Sequence, residues 1–224
     1  MRYEIILTDI DNTLFDFDRG SAAGVKSVMD YYGVEYTEER LQQYLAVNDK
    51  LWKQYEQGLI PKEHIFKTRF RDFMALYGVD AEPVFANDLY VEGLKSQVFF
   101  MPHCKEFLDA VHGKYKLYAL TNGVTETQKV RMECSGMRHY FDDIFISEQM
   151  GCKKPEKEFF DKVFDAIGPV DKRKCIMLGD SLTSDMQGGR NAGVDTCLVG
   201  NIDADPRCDY IIKDLMDFLP ILEG

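Results

Sequence analysis

Tyr3-Glu4-Ile5-Ile6-Leu7-Thr8-Asp9-Ile10-Asp11-Asn12-Thr13 is a short apolar run that ends in acids. Its Ile-Ile-Leu centre does not alternate with polar residues, so it reads as a strand buried on both faces, as in a parallel sheet. Five runs of the same kind recur much later: Tyr115–Thr121, Ile144–Ser147, Cys175–Gly179, Thr196–Val199 and Tyr210–Ile212. Helical patterns separate them over His103–His112, Thr125–Ser135, Pro155–Ile167 and Ser184–Ala192. Pro155 suits the first turn of its helix, where the missing N–H costs nothing. Strands and helices in alternation predict an α/β fold with a Rossmann-like, doubly wound parallel sheet.

Between the first strand and the rest, the pattern changes. Ser21–Tyr32, Glu38–Gln57, Pro61–Tyr77 and Glu82–Lys95 read as four helices, with Gly33, Gly58 and Gly78 marking ends. The spacing therefore predicts a core built from 1–16 and 98–224, interrupted by a four-helix insert over 17–97.

The chain carries 38 acidic and 27 basic residues among 224, a net charge of −11. That balance argues against tracking nucleic-acid phosphates or an anionic membrane. It leaves room for one small phosphorylated ligand, because a metal ion reverses the local sign. The six cysteines are scattered with no C-x-x-C pair, so they read as small core residues rather than a zinc site. Met1-Arg2-Tyr3-Glu4 shows no signal-peptide pattern, and no apolar run approaches a membrane span. A reducing cytoplasm is the expected compartment. Monomer and homodimer stay open.

In open α/β sheets, ligands bind beyond the carboxyl ends of the strands. Polar residues gather at those ends: Asp9 and Asp11 after the first strand, Thr121-Asn122-Gly123 after the second, and Gly179-Asp180-Ser181 after the fourth. Asp185 follows five positions after Asp180, and Lys153-Lys154-Pro155 precedes a core helix. Asp9 is placed to attack phosphorus and form an aspartyl phosphate. Asp11 can protonate the leaving oxygen and then take a proton from water. Several carboxylates in one crevice repel one another, which Mg²⁺ would relieve, with Asp180 a direct ligand and Asp185 a holder of metal-bound water. Thr121, Asn122 and Lys154 offer donors and charge to phosphoryl oxygens. Each element alone has a plainer reading as a turn, a cap or a solvated lysine. Their joint occurrence at strand ends carries the functional one.

On these motifs the sequence resembles the haloacid dehalogenase superfamily: DIDNTLF at 9–15, LTNG at 120–123, the lysine of KKPEKEFF at 153–160 and GDSLTSD at 179–185. The resemblance spans the chain and implies a Rossmann-like core with a helical cap. It implies that Asp9 is nucleophile and metal ligand, and that Asp11 is acid/base with its backbone carbonyl on the metal. Thr121 or Asn122 and Lys154 would hold the phosphoryl group, Asp180 would bind Mg²⁺, and Asp185 would support it. The dehalogenase branch lacks a carboxylate two residues after the nucleophile, so Asp11 implies a phosphatase. Narrower still, YLAVNDKLWKQYEQGLI at 44–60, DNTLFDFD at 11–18 and the stretch over 130–161 resemble bacterial pyrimidine 5′-nucleotidases, including those acting on non-standard nucleotides. That resemblance implies a nucleoside monophosphate as the small-molecule substrate.

Within the insert, Leu45, Asn48, Trp52 and Tyr55 share one helix face. Asn48 can read a base edge while Trp52, or Phe15 and Phe17 beside the catalytic loop, packs on the ring. The same residues equally suit the core of the insert. A sugar-phosphate or phosphoglycolate-type phosphatase is the second enzyme reading. A receiver-like phospho-acceptor module is the non-enzyme alternative, although it would need neither Asp11 nor the insert.

Overall fold

The computed structural model describes residues 2–95 and 97–224. Six strands form one sheet: β1 (Ile5–Thr8), β2 (Lys116–Thr121), β3 (Asp143–Ile146), β4 (Cys175–Gly179), β5 (Asp195–Val199) and β6 (Tyr210–Ile212). Their order is β3-β2-β1-β4-β5-β6, and every neighbouring pair is parallel. This is the Rossmann-type order, with its switch point between β1 and β4. β1 and β4 are buried at every residue, as continuous apolar runs flanked on both sides require. Thr8 pairs with Ala119 on one side and Leu178 on the other, so the ends of β1, β2 and β4 come level.

Helices α1 (Phe17–Tyr31), α2 (Glu38–Glu56), α3 (Lys62–Ala75) and α4 (Pro83–Lys95) follow β1. The later helices are α5 (Cys104–Val111), α6 (Thr125–Ser135), α7 (Ser147–Met150), α8 (Lys157–Ile167), α9 (Gln187–Ala192) and α10 (Phe218–Glu223). The chain divides into two compact units, one of the residues up to Asp16 with Phe100–Gly224, the other Phe17–Phe99. In the sheet unit, Phe159, Phe160, Val163 and Phe164 of α8 pack on Ile5, Leu7, Cys175 and Met177. Phe107 of α5 meets Phe218 of α10 edge to face. In the helical unit, Val25, Val28 and Met29 of α1 join Tyr44, Phe70, Phe73 and Tyr90 in one core. There α1 and α4 approach through Gly24 and Gly93, because a Cβ on Gly93 would lie 2.7 Å from the Gly24 nitrogen.

Two sequence expectations shift. Pro155 is not in the first turn of its helix: it follows a cis Lys154–Pro155 bond, and α8 begins at Lys157. The stretch expected as one helix from Ser184 begins instead as a π-helical turn over Leu182–Met186, which continues into α9. No helix among the described residues is long and apolar enough to cross a membrane.

Candidate active site

Beyond β1 the Asp9 amide still donates to Leu178 O (2.9 Å), which keeps Asp9 in line with β4. The chain then folds back on itself. Leu14 and Phe15 amides both donate to Ile10 O (2.9 Å each), and the Asn12 amide donates to Phe15 O (2.7 Å). Asn12 takes the left-handed conformation this turn needs (φ 56°), which asparagine tolerates better than most residues. Asp9 and Asp11 thereby end up in different surroundings.

Asp9 meets Lys154. The lysine Nζ donates to Asp9 Oδ1 (2.5 Å), Leu120 O (2.6 Å) and Asp185 Oδ1 (2.7 Å), which engages all three of its protons. Its backbone is gripped by the Asn122 side chain, whose Nδ2 donates to Lys154 O (2.9 Å) while Oδ1 accepts from Lys154 N (3.0 Å). Asn122 thus aims the lysine, a different use from the phosphoryl donor expected of it. Asp185 is fully buried, and its Oδ2 accepts from the Ser181 amide (3.1 Å). Gly179 makes room for it, since a Cβ there would overlap the Asp185 carboxylate and its Cβ.

Asp9, Asp180 and Asp185 present carboxylate oxygens all within 4.8 Å of one another. Burial pushes the Asp9 carboxyl up to about 8; Lys154 works against that shift, while Asp185 and Asp11 add to it. Burial also holds Asp180 well above the usual carboxylate range, with Asp9 and Asp185 reinforcing it. Burial alone would lower the Lys154 ammonium, but Asp185 and Asp9 reverse this and raise it. Lys154 pairs with Asp9 and Asp185 but not with Asp180, so the three-acid cluster is short of positive charge. An all-oxygen donor set of this kind fits a hard divalent cation.

The Asp11 carboxylate is not in that group. It points to α6, where Oδ2 accepts from Gln128 Nε2 (2.7 Å) and Oδ1 pairs with Arg131 Nη1. Thr121 Oγ1 accepts from the Gly123 amide and from Gln128 Nε2 (2.9 Å each), which leaves its own proton to donate. Phe15 is fully buried, 5.8 Å from the Phe100 ring and beneath the Arg131 guanidinium, so it packs the loop and has no exposed face for a substrate. Asn48 and Trp52 lie in the helical unit. Asn48 is buried, and its Oδ1 accepts from Arg69 Nη1 (3.3 Å). Trp52 sits edge-on to Tyr55 (5.7 Å). Gln128 and Arg131 were not foreseen; their i, i+3 spacing on the helix just after Thr121-Asn122-Gly123 was the available signal.

The acid cluster and its buried lysine lie at the switch point of a parallel sheet, the place where open α/β proteins bind their ligands. The model of the haloacid dehalogenase-like hydrolases matches residues 3–193, and the chain belongs to that family. It is 35% identical to the pyrimidine 5′-nucleotidase PynA of Streptococcus pneumoniae, over 98% of this chain and 96% of that one. It is 36% identical to the pyrimidine 5′-nucleotidase YjjG of Escherichia coli, over 88% and 86%. The crystal structure of the HAD-hydrolase YfnB of Bacillus subtilis, bound to magnesium, superposes over 100% of both chains with a TM-score of 0.93 and 32% identity. Membership in a hydrolase family decides against the receiver-like module.

Proposed function

We propose that this chain is a magnesium-dependent phosphatase of nucleoside 5′-monophosphates, with pyrimidine nucleotides its main substrates. The observation that carries the reaction is the pair of differently held acids: Asp9 against Lys154, and Asp11 against Gln128 and Arg131. An inert phosphate-binding protein would not need the second. The substrate class is supported by the two pyrimidine nucleotidases that match over nearly their whole lengths.

Asp9 attacks phosphorus, so an Asp9 O–P bond forms as the ester P–O bond breaks, and Asp11 gives the leaving oxygen its proton. Water then attacks phosphorus, passes a proton to the Asp11 carboxylate and frees Asp9 with release of phosphate. Lys154 fixes the Asp9 rotamer, and Thr121 offers its hydroxyl proton to a phosphoryl oxygen. Asp9, Asp180 and Asp185, with the Asp11 backbone carbonyl, would hold Mg²⁺, which when bound neutralises the phosphate so that one anion can approach another. Leaving-group selection is assigned to the helical insert, Phe17–Phe99, but not to Asn48, which is buried against Arg69. The enzyme works in the cytoplasm on small phosphate esters, not on nucleic acid.

A panel of nucleoside monophosphates and sugar phosphates, assayed for phosphate release with Mg²⁺, tests the substrate class. Higher kcat/KM for UMP and dUMP than for sugar phosphates is the expected outcome. The reverse ranking would reject the nucleotidase reading and leave the phosphatase standing.

A further inference from the structure

We propose that Gln128 and Arg131 are positioning residues for Asp11, forming a two-point clamp that aims its carboxylate for proton transfer; this rests on the hydrolytic reading above. The two lie one helical turn apart on α6 and so share a face. Each is only 1% exposed, and each takes a different Asp11 oxygen. The clamp is braced from behind. Gln128 Nε2 also donates to Thr121 Oγ1 (2.9 Å), Arg131 Nη1 donates to Gln128 Oε1 (3.3 Å), and the guanidinium lies 4.9 Å from the centre of the Phe15 ring. Gly123 lets Gln128 come this close, since a Cβ there would lie 2.6 Å from Gln128 Nε2 and 2.9 Å from Cγ.

The burial of the ion pair is lopsided. The Arg131 side chain is 1% exposed but that of Asp11 is 27% exposed. Desolvating an arginine is costly, so a buried ion pair is weak evidence of a purely stabilising role. Here the cation is buried and the carboxylate keeps an open side. That arrangement suits a group that must be held in one orientation yet exchange a proton.

The clamp serves the second half-reaction most visibly, in which water forms its bond to phosphorus, the Asp9 O–P bond breaks and the water proton passes to Asp11. With p-nitrophenyl phosphate the leaving group needs no protonation, so loss of aim at Asp11 should slow only this half. Rapid-quench assays with Mg²⁺ on Arg131→Met and Gln128→Met should show a nitrophenol burst of about one per active site. Turnover after the burst should be slower by roughly 10²-fold, the low end of the range for general acid–base catalysis. Arg131→Lys should recover part of that rate, and in the methionine variants KM should fall together with kcat, because kcat/KM reports only the unaffected first half. Asp11→Asn is the control. A burst in Asp11→Asn with wild-type turnover in Gln128→Met and Arg131→Met overturns the clamp. Equal loss of burst and turnover in both methionine variants overturns it too, since that is the result of general damage. Full turnover in Asp11→Asn would instead sink the acid/base role itself.

Discussion

Asp9 and Asp11 are two residues apart, yet one is buried against a lysine and two acids while the other is held by an amide and a guanidinium. Replacing Asp9 by Asn keeps the shape and removes the proposed nucleophile. Asp9→Asn should lower Mg²⁺-dependent phosphate release from an aryl phosphate by more than about a thousandfold. Persistent full activity would rule out the aspartyl-phosphate route. Gly179 offers a second test. A methyl group there meets the Asp185 carboxylate, its Cβ and Cγ, not the tip of a flexible chain. Gly179→Ala should cost about 1–3 kcal/mol in urea unfolding and weaken Mg²⁺ binding together. Unchanged values for both would show that the site relaxes freely. At this scale the placement of the acids, Thr121 and Lys154 around the strand ends was legible from residue type and place. The use of Asn122 as a backbone clamp was not, because it depends on a partner 32 residues away.

At the level of elements, α1 and α4 depend on glycine where their backbones meet. Gly93→Ala should destabilise the helical unit by about 1–3 kcal/mol through overpacking, despite alanine's better helix propensity. A circular-dichroism melt checks the sign, and a stabilised variant would contradict the close approach. At the start of β2, Asp142 accepts from Lys116 Nζ (2.7 Å) and the Leu117 amide (2.9 Å). Burial alone would raise its carboxyl, but the Lys116 and Leu117 hydrogen bonds outweigh that and hold it below the usual carboxylate range. A lowered folded value means the contribution is present above the unfolded value of about 4 and lost as pH falls through the folded one. Wild type should therefore lose more stability than Asp142→Asn in urea titrations between about pH 5 and pH 2. Equal losses would show that this carboxylate contributes nothing. Most element boundaries followed from apolar period and glycine punctuation. Pro155 and the π-helical turn did not, since hydrophobic periodicity does not distinguish a cis bond or an i→i+5 turn from a helix start.

For the whole molecule, the proposed cation site links stability to Mg²⁺. Mg²⁺ should raise the thermal midpoint of wild type, by an amount equivalent to about 2.7 kcal/mol at a hundred times its Kd. Asp180→Asn should melt higher than wild type in chelator, since it relieves repulsion, and should lose the response to Mg²⁺. An undiminished response in Asp180→Asn would remove that residue from the cation site. The sequence by itself determined the α/β class, the interruption by helices and the gathering of acids at strand ends, because those depend on local periodicity and on residue type. Only the tertiary structure decided which acids share the lysine and which the arginine. Strand register brought β1, β2 and β4 level, and the fold-back after Asp9 turned Asp11 toward α6. Asp9 with Lys154 and Asp11 with Gln128 join residues more than a hundred positions apart, and no local pattern encodes them.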